Sequence, residues 1–93
     1  MNKIRLRISS KTEAKIWAKH KVSVQEVQEV FNNEEYQVKI RRSDAVADSY
    51  TAFGRTFAGR YLMIAFFPKE RGYANLGTSR EMTARERKRY ERK

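Results

Sequence analysis

Two arginines, Arg55 and Arg80, are the side chains in this sequence best suited to chemistry on a phosphate group. Both fall in predicted β-strands, Arg55 on the face of Phe53 and Arg80 on the face of Leu76 and Thr78. A guanidinium is always charged, and its forked donors match the oxygens of a phosphodiester and of its more negative transition state. The alternative for each arginine is structural, tying the sheet to a carboxylate on a helix.

Two other side chains, His20 and Tyr90, each have a structural and a functional interpretation. His20 ends a predicted amphipathic helix, where it either caps the helix C-terminus or acts as a general acid, a general base or a phosphate contact. Tyr90 either stacks on a base or docks the last helix. For Trp17 we favour packing in the core.

Several other kinds of site are not expected. The chain has no cysteine, which excludes disulfides, thiolate nucleophiles and thiolate metal sites. It has one histidine and no carboxylate pair at ligand spacing near it, so neither a metal nor another cofactor is predicted. No nucleophile elbow supports Ser–His–Asp catalysis, and the four glycines lie in or between predicted strands rather than in a phosphate-binding loop.

The charge of the chain points to a polyanionic partner. The chain has 21 Lys and Arg and 11 Asp and Glu, which give a net charge of +10. Residues 85–93 supply much of this charge. Such a chain binds nucleic acid, an anionic membrane or an acidic protein, unless its basic surface serves solubility alone. RNA is the leading candidate. The longest apolar run, residues 61–67, is far too short to span a bilayer, and we predict a cytoplasmic protein.

The elements that position these residues begin with a strand and two helices. Alternating residues 4–8 predict a half-buried strand, and a capping box at residues 10–13 predicts a helix to about Lys19. A second capping box, residues 23–26, opens a helix whose stripe of Val24, Val27, Val30 and Phe31 is expected to be buried.

The second half of the chain predicts a strand meander and a basic helix. Expected are an edge strand at 36–40, a turn at 41–44, and strands at 50–57, 60–67 and 73–79. The apolar run 60–67 predicts the central strand. A third capping box, residues 83–86, opens a last helix that has little apolar surface and is expected to dock loosely. We predict one α+β domain over residues 1–93, with helices on one side of a small, twisted, antiparallel sheet.

Two blocks of residues occur in a characteristic order and spacing. The first comprises residues 16–20, 22–23 and 26–31, and the second comprises residues 54–56, 59–60, 78–83, 86–87 and 90. They resemble the signatures KH-G-[VI]-S-x-x-E-x-x-x-x-F and GRT…GR…TAR-x-[MA]-T-x-x-E-R-x-x-Y of the BrnT-type toxins. The resemblance covers most of the chain apart from the first strand and residues 33–49.

The resemblance implies a RelE-like fold and a bacterial type II toxin that acts as a ribonuclease. Its partner would be a BrnA-type antitoxin, which carries DNA-binding elements, so that DNA is bound only through the complex. The implied reaction is metal-free, with the RNA 2′-hydroxyl attacking the adjacent phosphorus.

The resemblance also implies roles for individual residues. Arg55 and Arg80 would bind the phosphate and stabilise the phosphorane, and His20 would carry a proton. The expected substrate-binding residues are Lys21, Arg60, Arg85, Arg89 and Tyr90.

The chain departs from the signature after the histidine, where Lys21 replaces a glycine. Glycine suits a left-handed helix cap, so this departure bears directly on how His20 is aimed. A different class of function also fits the same residues: a non-catalytic basic module that holds an acidic protein or a nucleic acid without cleaving it.

Overall fold

The computed structural model describes residues 4–44 and 46–92. Its three helices are α1 (Ser10–His20), α2 (Val24–Asn32) and α3 (Ala84–Glu91). Complete capping boxes begin α2 and α3, as predicted. The start of α1 was predicted one residue too late, because Ser9 is its N-cap and accepts a hydrogen bond from the Thr12 amide at 3.1 Å. None of the helices in the described ranges is long and apolar enough to cross a membrane.

Five strands form one sheet: β1 (Arg5–Arg7), β2 (Lys39–Arg42), β3 (Tyr50–Arg55), β4 (Tyr61–Pro68) and β5 (Tyr73–Glu81). Their order is β1-β5-β4-β3-β2, which places β4 at the centre as its apolar run predicted. Neighbours pair antiparallel except β1, which runs parallel to β5. The sheet is therefore mixed rather than antiparallel, and the α+β class is confirmed.

The edge strand β2 lies further along the chain than predicted. Arg41 and Arg42 were expected in a turn, but they pair with Thr51 and Tyr50 of β3. Pairing with a neighbouring strand outweighs the weak local preference of such a polar segment. All four residues of β2 are exposed and three are cationic, which is typical of a protected sheet edge.

The core lies between one face of the sheet and the helices α1 and α2. Its buried side chains are Ile16, Val22, Val27, Val30, Ala52, Leu62, Ile64, Phe66, Ala74 and Leu76. The prediction that Trp17 packs in this core was wrong, since its side chain is 53% exposed. Successive helix residues point about 100° apart, and Ile16 takes the inward position.

A β-bulge in β5 changes the face on which Arg80 lies. Leu76 pairs with Phe66 and Thr78 with Ala65, so Gly77 is the additional residue. A side chain on Gly77 would begin 2.9 Å from the Phe67 ring. Regular alternation predicted Arg80 on the same face as Leu76. Because of the bulge, Arg80 lies on the opposite face, together with Thr78.

Candidate functional site

The sheet face that turns away from α1 and α2 carries a row of side chains running across four strands. Lys39, Phe53, Met63 and Arg80 are successive partners on β2, β3, β4 and β5. Their sequence neighbours Ala52 and Ile64 lie in the core, so this row points to the other side. We call this second side of the sheet the open face.

Helix α3 lies over one end of the open face, so the prediction that the helices lie on one side of the sheet was wrong. Polar contacts fix α3 in this position. Tyr61 Oη donates to Glu91 Oε2 at 2.7 Å, and Tyr90 Oη donates to the Gln37 carbonyl at 2.8 Å. Lys39 Nζ donates to the carbonyls of Tyr90 and Arg92 at 2.6 and 3.0 Å, where a cation also suits the negative end of the helix dipole. The sequence predicted a loosely docked last helix, but these side-chain hydrogen bonds fix the position of α3.

A groove of about 350 Å³ lies between α3 and the open face. Its walls combine four cations, one carboxylate and two aromatic rings: Lys39, Arg41, Arg85, Arg89, Glu86, Phe53 and Tyr90. Among the described residues, no ion pair involves any of the four cations. The groove consequently offers both positive charge and aromatic surface to a ligand.

The carboxylate of the groove belongs to an ion pair with Arg80. Arg80 Nη1 and Nη2 donate to the two Glu86 oxygens at 2.8 and 3.1 Å. These hydrogen bonds hold the pKa of Glu86 below its ordinary value and raise the pKa of Arg80. Glu86 also completes the capping box of α3 with Thr83. Arg80 therefore ties β5 to the start of α3, the structural alternative considered for it.

Arg55 lies two residues beyond Phe53 on β3 and is held in a fixed position. Its guanidinium carbon is 3.9 Å from the Tyr36 ring centroid and 4.5 Å from that of Tyr61. Its Nε donates to the Gly59 carbonyl at 3.2 Å. Gly59 has a φ of 95°, and a side chain there would begin 2.8 Å from Arg55 Nη2. The structure thus places Arg55 on the open face, beside the groove.

Tyr90 presents a neutral phenol to the groove. Burial raises the pKa of Tyr90, and the positive charge of Arg55 opposes that rise only in part. Its ring meets that of Tyr61 edge to face at 6.1 Å. Tyr90 therefore offers an aromatic wall and remains protonated at neutral pH.

Three of the predicted site residues lie elsewhere, where α1 ends. Arg60 donates to the His20 and Lys21 carbonyls at 3.1 and 2.7 Å, and it pairs with Glu26 at 3.1 Å and with Glu81 at 2.8 Å. These contacts favour a structural role for Arg60 over contact with a substrate. Since α1 packs on the core side of the sheet, His20 does not join Arg55 and Arg80 on the open face.

Lys21 adopts the left-handed conformation that the signature assigns to glycine. Its φ and ψ are 53° and 40°, and its amide donates to the Trp17 carbonyl at 3.0 Å. The bond from Lys21 to Trp17 is that of an αL-type helix ending, and the next amide, of Val22, donates to the Ile16 carbonyl at 3.3 Å. The turn after His20 is thus formed with a lysine in place, and the Lys21 ammonium lies 5.3 Å from the Trp17 ring centroid.

Besides Glu86, sequence reasoning missed three residues of the groove: Lys39, Arg41 and Phe53. The available signal was the alternation of Lys39 and Arg41 with Ile40, which continues the predicted edge strand through Arg41. Extending that strand would have placed both cations on one face. Their position opposite Phe53 depends on the pairing register, which no local pattern contains.

No protein-family model matches the sequence, and no curated protein is significantly similar to it. Among solved structures, the crystal structure of the Brucella abortus ribonuclease toxin BrnT superposes with a TM-score of 0.68. The match covers 86% of this chain and 97% of that chain at 13% sequence identity. The element order and the mixed five-stranded sheet thus belong to a known architecture, as the sequence motifs predicted: this chain has the fold of a BrnT-type toxin.

Proposed function

We propose that this chain is an endoribonuclease toxin of a bacterial type II toxin–antitoxin system, and that the groove beneath α3 holds its RNA substrate. The observation that carries this proposal is the combination of Lys39, Arg41, Arg85 and Arg89 with two aromatic rings in one groove. The fold adds support, because the matched structure is described as a ribonuclease toxin.

The groove suits a single-stranded nucleic acid. Its cations can contact successive phosphates, and Phe53 and Tyr90 offer rings on which an unpaired base can stack. A paired base keeps its faces covered by its neighbours and cannot use such rings. We therefore assign phosphate binding to Arg41, Arg85 and Arg89, and base stacking to Phe53 and Tyr90.

The proposed reaction is attack of the RNA 2′-hydroxyl on the adjacent phosphorus. A bond forms between O2′ and phosphorus while the bond from phosphorus to O5′ breaks, leaving a 2′,3′-cyclic phosphate and a 5′-hydroxyl. The proton of the 2′-hydroxyl goes to solvent, and O5′ takes one up. The protein holds the strand in line for attack and stabilises the extra negative charge of the phosphorane.

The protonation states of two groups in the groove support a mechanism without a general base from these residues. Glu86 stays ionised and paired with Arg80, and Tyr90 stays protonated. Neither matches a general base with a pKa near neutral. We propose that positioning and cationic stabilisation supply the rate enhancement, with Arg55 beside the groove adding positive potential and Arg80 holding the start of α3, and that no metal ion takes part.

Cleavage of single-stranded RNA by the purified protein in EDTA tests this function. The expected products carry 2′,3′-cyclic phosphate and 5′-hydroxyl ends, and the matched 2′-deoxy strand stays intact. Lys11→Gln is the control, since Lys11 is exposed on α1, away from the groove. Intact RNA after incubation with folded protein, with or without added Mg²⁺, would reject the enzyme.

A binding module without catalysis is the second candidate. It is favoured by the pairing of Arg80 with Glu86 and by the position of the single histidine at the end of α1, which packs on the core side of the sheet. Its signature in the same experiment is tight, salt-sensitive binding of RNA with no product. Expression in cells separates the two as well, because a ribonuclease arrests growth and degrades RNA.

We also propose a BrnA-type antitoxin as the partner, in the cytoplasm, with DNA bound only through the complex. The net charge of +10 supports an inhibitor with an acidic docking surface. Co-expression of the neighbouring reading frame should restore growth, and the purified pair should shift DNA that the toxin alone does not shift. A DNA shift by the toxin alone at physiological salt would contradict this assignment.

A single domain over residues 1–93 stays a prediction.

A further inference from the structure

A second basic cluster lies at the other edge of the sheet, on β1 and the start of β5. The guanidinium carbons of Arg5 and Arg7 lie 5.7 and 4.2 Å from the centroid of the Tyr73 ring. We propose that Arg5, Arg7 and Tyr73 form a second phosphate-binding subsite, which holds the same RNA strand where it leaves the groove. This inference rests on the proposed function.

The pairing register places this cluster on the open face. Leu6 pairs with Ala74, which is buried in the core at 2% exposure. The flanking residues Arg5 and Arg7 therefore point to the opposite side, as does Tyr73, the partner of Arg5. The groove and the cluster consequently share one side of the sheet.

The charges of the cluster are available to a ligand. Within residues 4–44 and 46–92, no ion pair includes Arg5 or Arg7. Arg7 and Tyr73 line a shallow concavity with Lys69 and Arg71, and one acidic residue, Glu70, is among its described walls. Hydrogen bonding from Arg5 and the charges of Arg5 and Arg7 lower the pKa of Tyr73. The cluster thus presents concentrated positive charge to solvent.

Next to the groove, the side chains of the open face are small and uncharged, and Phe67 and Asn75 lie between this part of the sheet and Arg7. Arg41 on β2 begins a row that continues through Thr51, Ala65 and Thr78. The last three are small and partly exposed, and Gly77 lies beside them on β5. Four strand spacings separate β2 from β1, roughly 19 Å at about 4.8 Å each. A single strand can therefore cross this surface with its phosphates held at both edges.

Binding of short and long oligonucleotides tests the subsite. A 2′-O-methyl trinucleotide and a 2′-O-methyl decanucleotide, which lack the attacking hydroxyl, are titrated by fluorescence anisotropy. We expect the trinucleotide to occupy the groove alone and the decanucleotide to reach β1 as well. For the double variant Arg5→Gln, Arg7→Gln we expect decanucleotide affinity to fall by about tenfold and its salt slope by about 1.4, with trinucleotide affinity unchanged.

The matched control is Lys11→Gln, Lys15→Gln, which removes the same charge from exposed positions on α1. Equal losses in both double variants, or equal losses for both oligonucleotides, would mean general attraction and would overturn the subsite. Arg5→Lys, Arg7→Lys keeps the charge and should retain most of the salt slope. Circular dichroism of each variant confirms that β1 is still folded.

The outcome separates this inference from the proposed function. If the protein binds the decanucleotide through Arg5 and Arg7 but does not cleave unmodified RNA, the subsite stands and the ribonuclease fails. If it cleaves RNA and the β1 variants bind the decanucleotide as the parent does, the ribonuclease stands and the subsite fails. Binding of anionic vesicles or acidic peptides in preference to the decanucleotide would also reject it.

Discussion

Arg60, just before β4, and Arg41, on β2, show two different uses of the same side chain. Arg60 lies on the side of the sheet that α1 and α2 cover. It contacts two carboxylates and two backbone carbonyls and so links α1, α2 and β5. Arg41, in the groove, is exposed, and no ion pair of the described residues includes it. An arginine that is already paired stabilises the fold, whereas an unpaired one in a concavity is ready for an anionic ligand.

The largest effect expected from this comparison is on catalysis. Arg41→Gln should lower the rate of RNA cleavage by about 100-fold, because it removes one cation that stabilises the phosphorane, and should leave the melting temperature unchanged. His20→Gln serves as the comparison and should stay within about twofold, since His20 lies on the other side of the sheet. Single-turnover cleavage rates measure both. A loss in His20→Gln as large as in Arg41→Gln would restore the histidine as proton carrier.

The next effect concerns stability. Arg60→Met should lower the free energy of unfolding by about 2 kcal/mol, because Glu26 and Glu81 lose their shared partner and two carbonyls lose a donor. Urea denaturation measures this change. The cleavage rate per folded molecule should match that of the parent. A large loss of activity at full stability would place Arg60 in contact with substrate, as the sequence signature implied.

A smaller effect is expected from acid. The hydrogen bonds from Arg80 place the folded-state pKa of Glu86 below its ordinary value of 4.5. Their stabilisation is therefore complete above about pH 4.5 and is lost as the pH falls through the lower, folded-state pKa. Urea midpoints measured from pH 6 to pH 3 should decline less steeply in Glu86→Gln, which retains a capping side chain. Parallel curves for the two proteins would rule out this contribution.

The smallest effect is expected at the end of α1. Lys21→Gly should stabilise the protein by up to about 1 kcal/mol, because glycine adopts the left-handed conformation without a steric cost. Thermal unfolding measures the gain. Lys19→Gly is the contrasting variant, since Lys19 is exposed inside the helix and the change should destabilise by a similar amount. Destabilisation by Lys21→Gly would mean that contact of the lysine with Trp17 outweighs the backbone cost.

Features encoded within a few residues were predictable from the sequence. The capping boxes at Ser23 and Thr83 fixed the starts of α2 and α3, since both partners of each box lie within four residues. The apolar run of β4 identified the central strand. The resemblance of the two motif blocks predicted the fold that the structural comparison found.

Features that depend on contacts between distant segments were not predictable. The parallel pairing of β1 brings Arg5 next to Tyr73, residues far apart in sequence. The bulge at Gly77 reverses the face of Arg80, and the register of β2 places Arg41 over the groove. One residue of shift exchanges the two faces of a strand, so periodicity alone could not assemble the site.

The contact between Gly59 and Arg55 has a consequence for sequence variation. Any side chain at position 59 would displace the Arg55 guanidinium, and the φ of 95° already disfavours other residues there. Without Arg55, the first of these two constraints disappears. In an alignment of chains with this fold, those with arginine at the position of Arg55 should therefore have glycine at the position of Gly59.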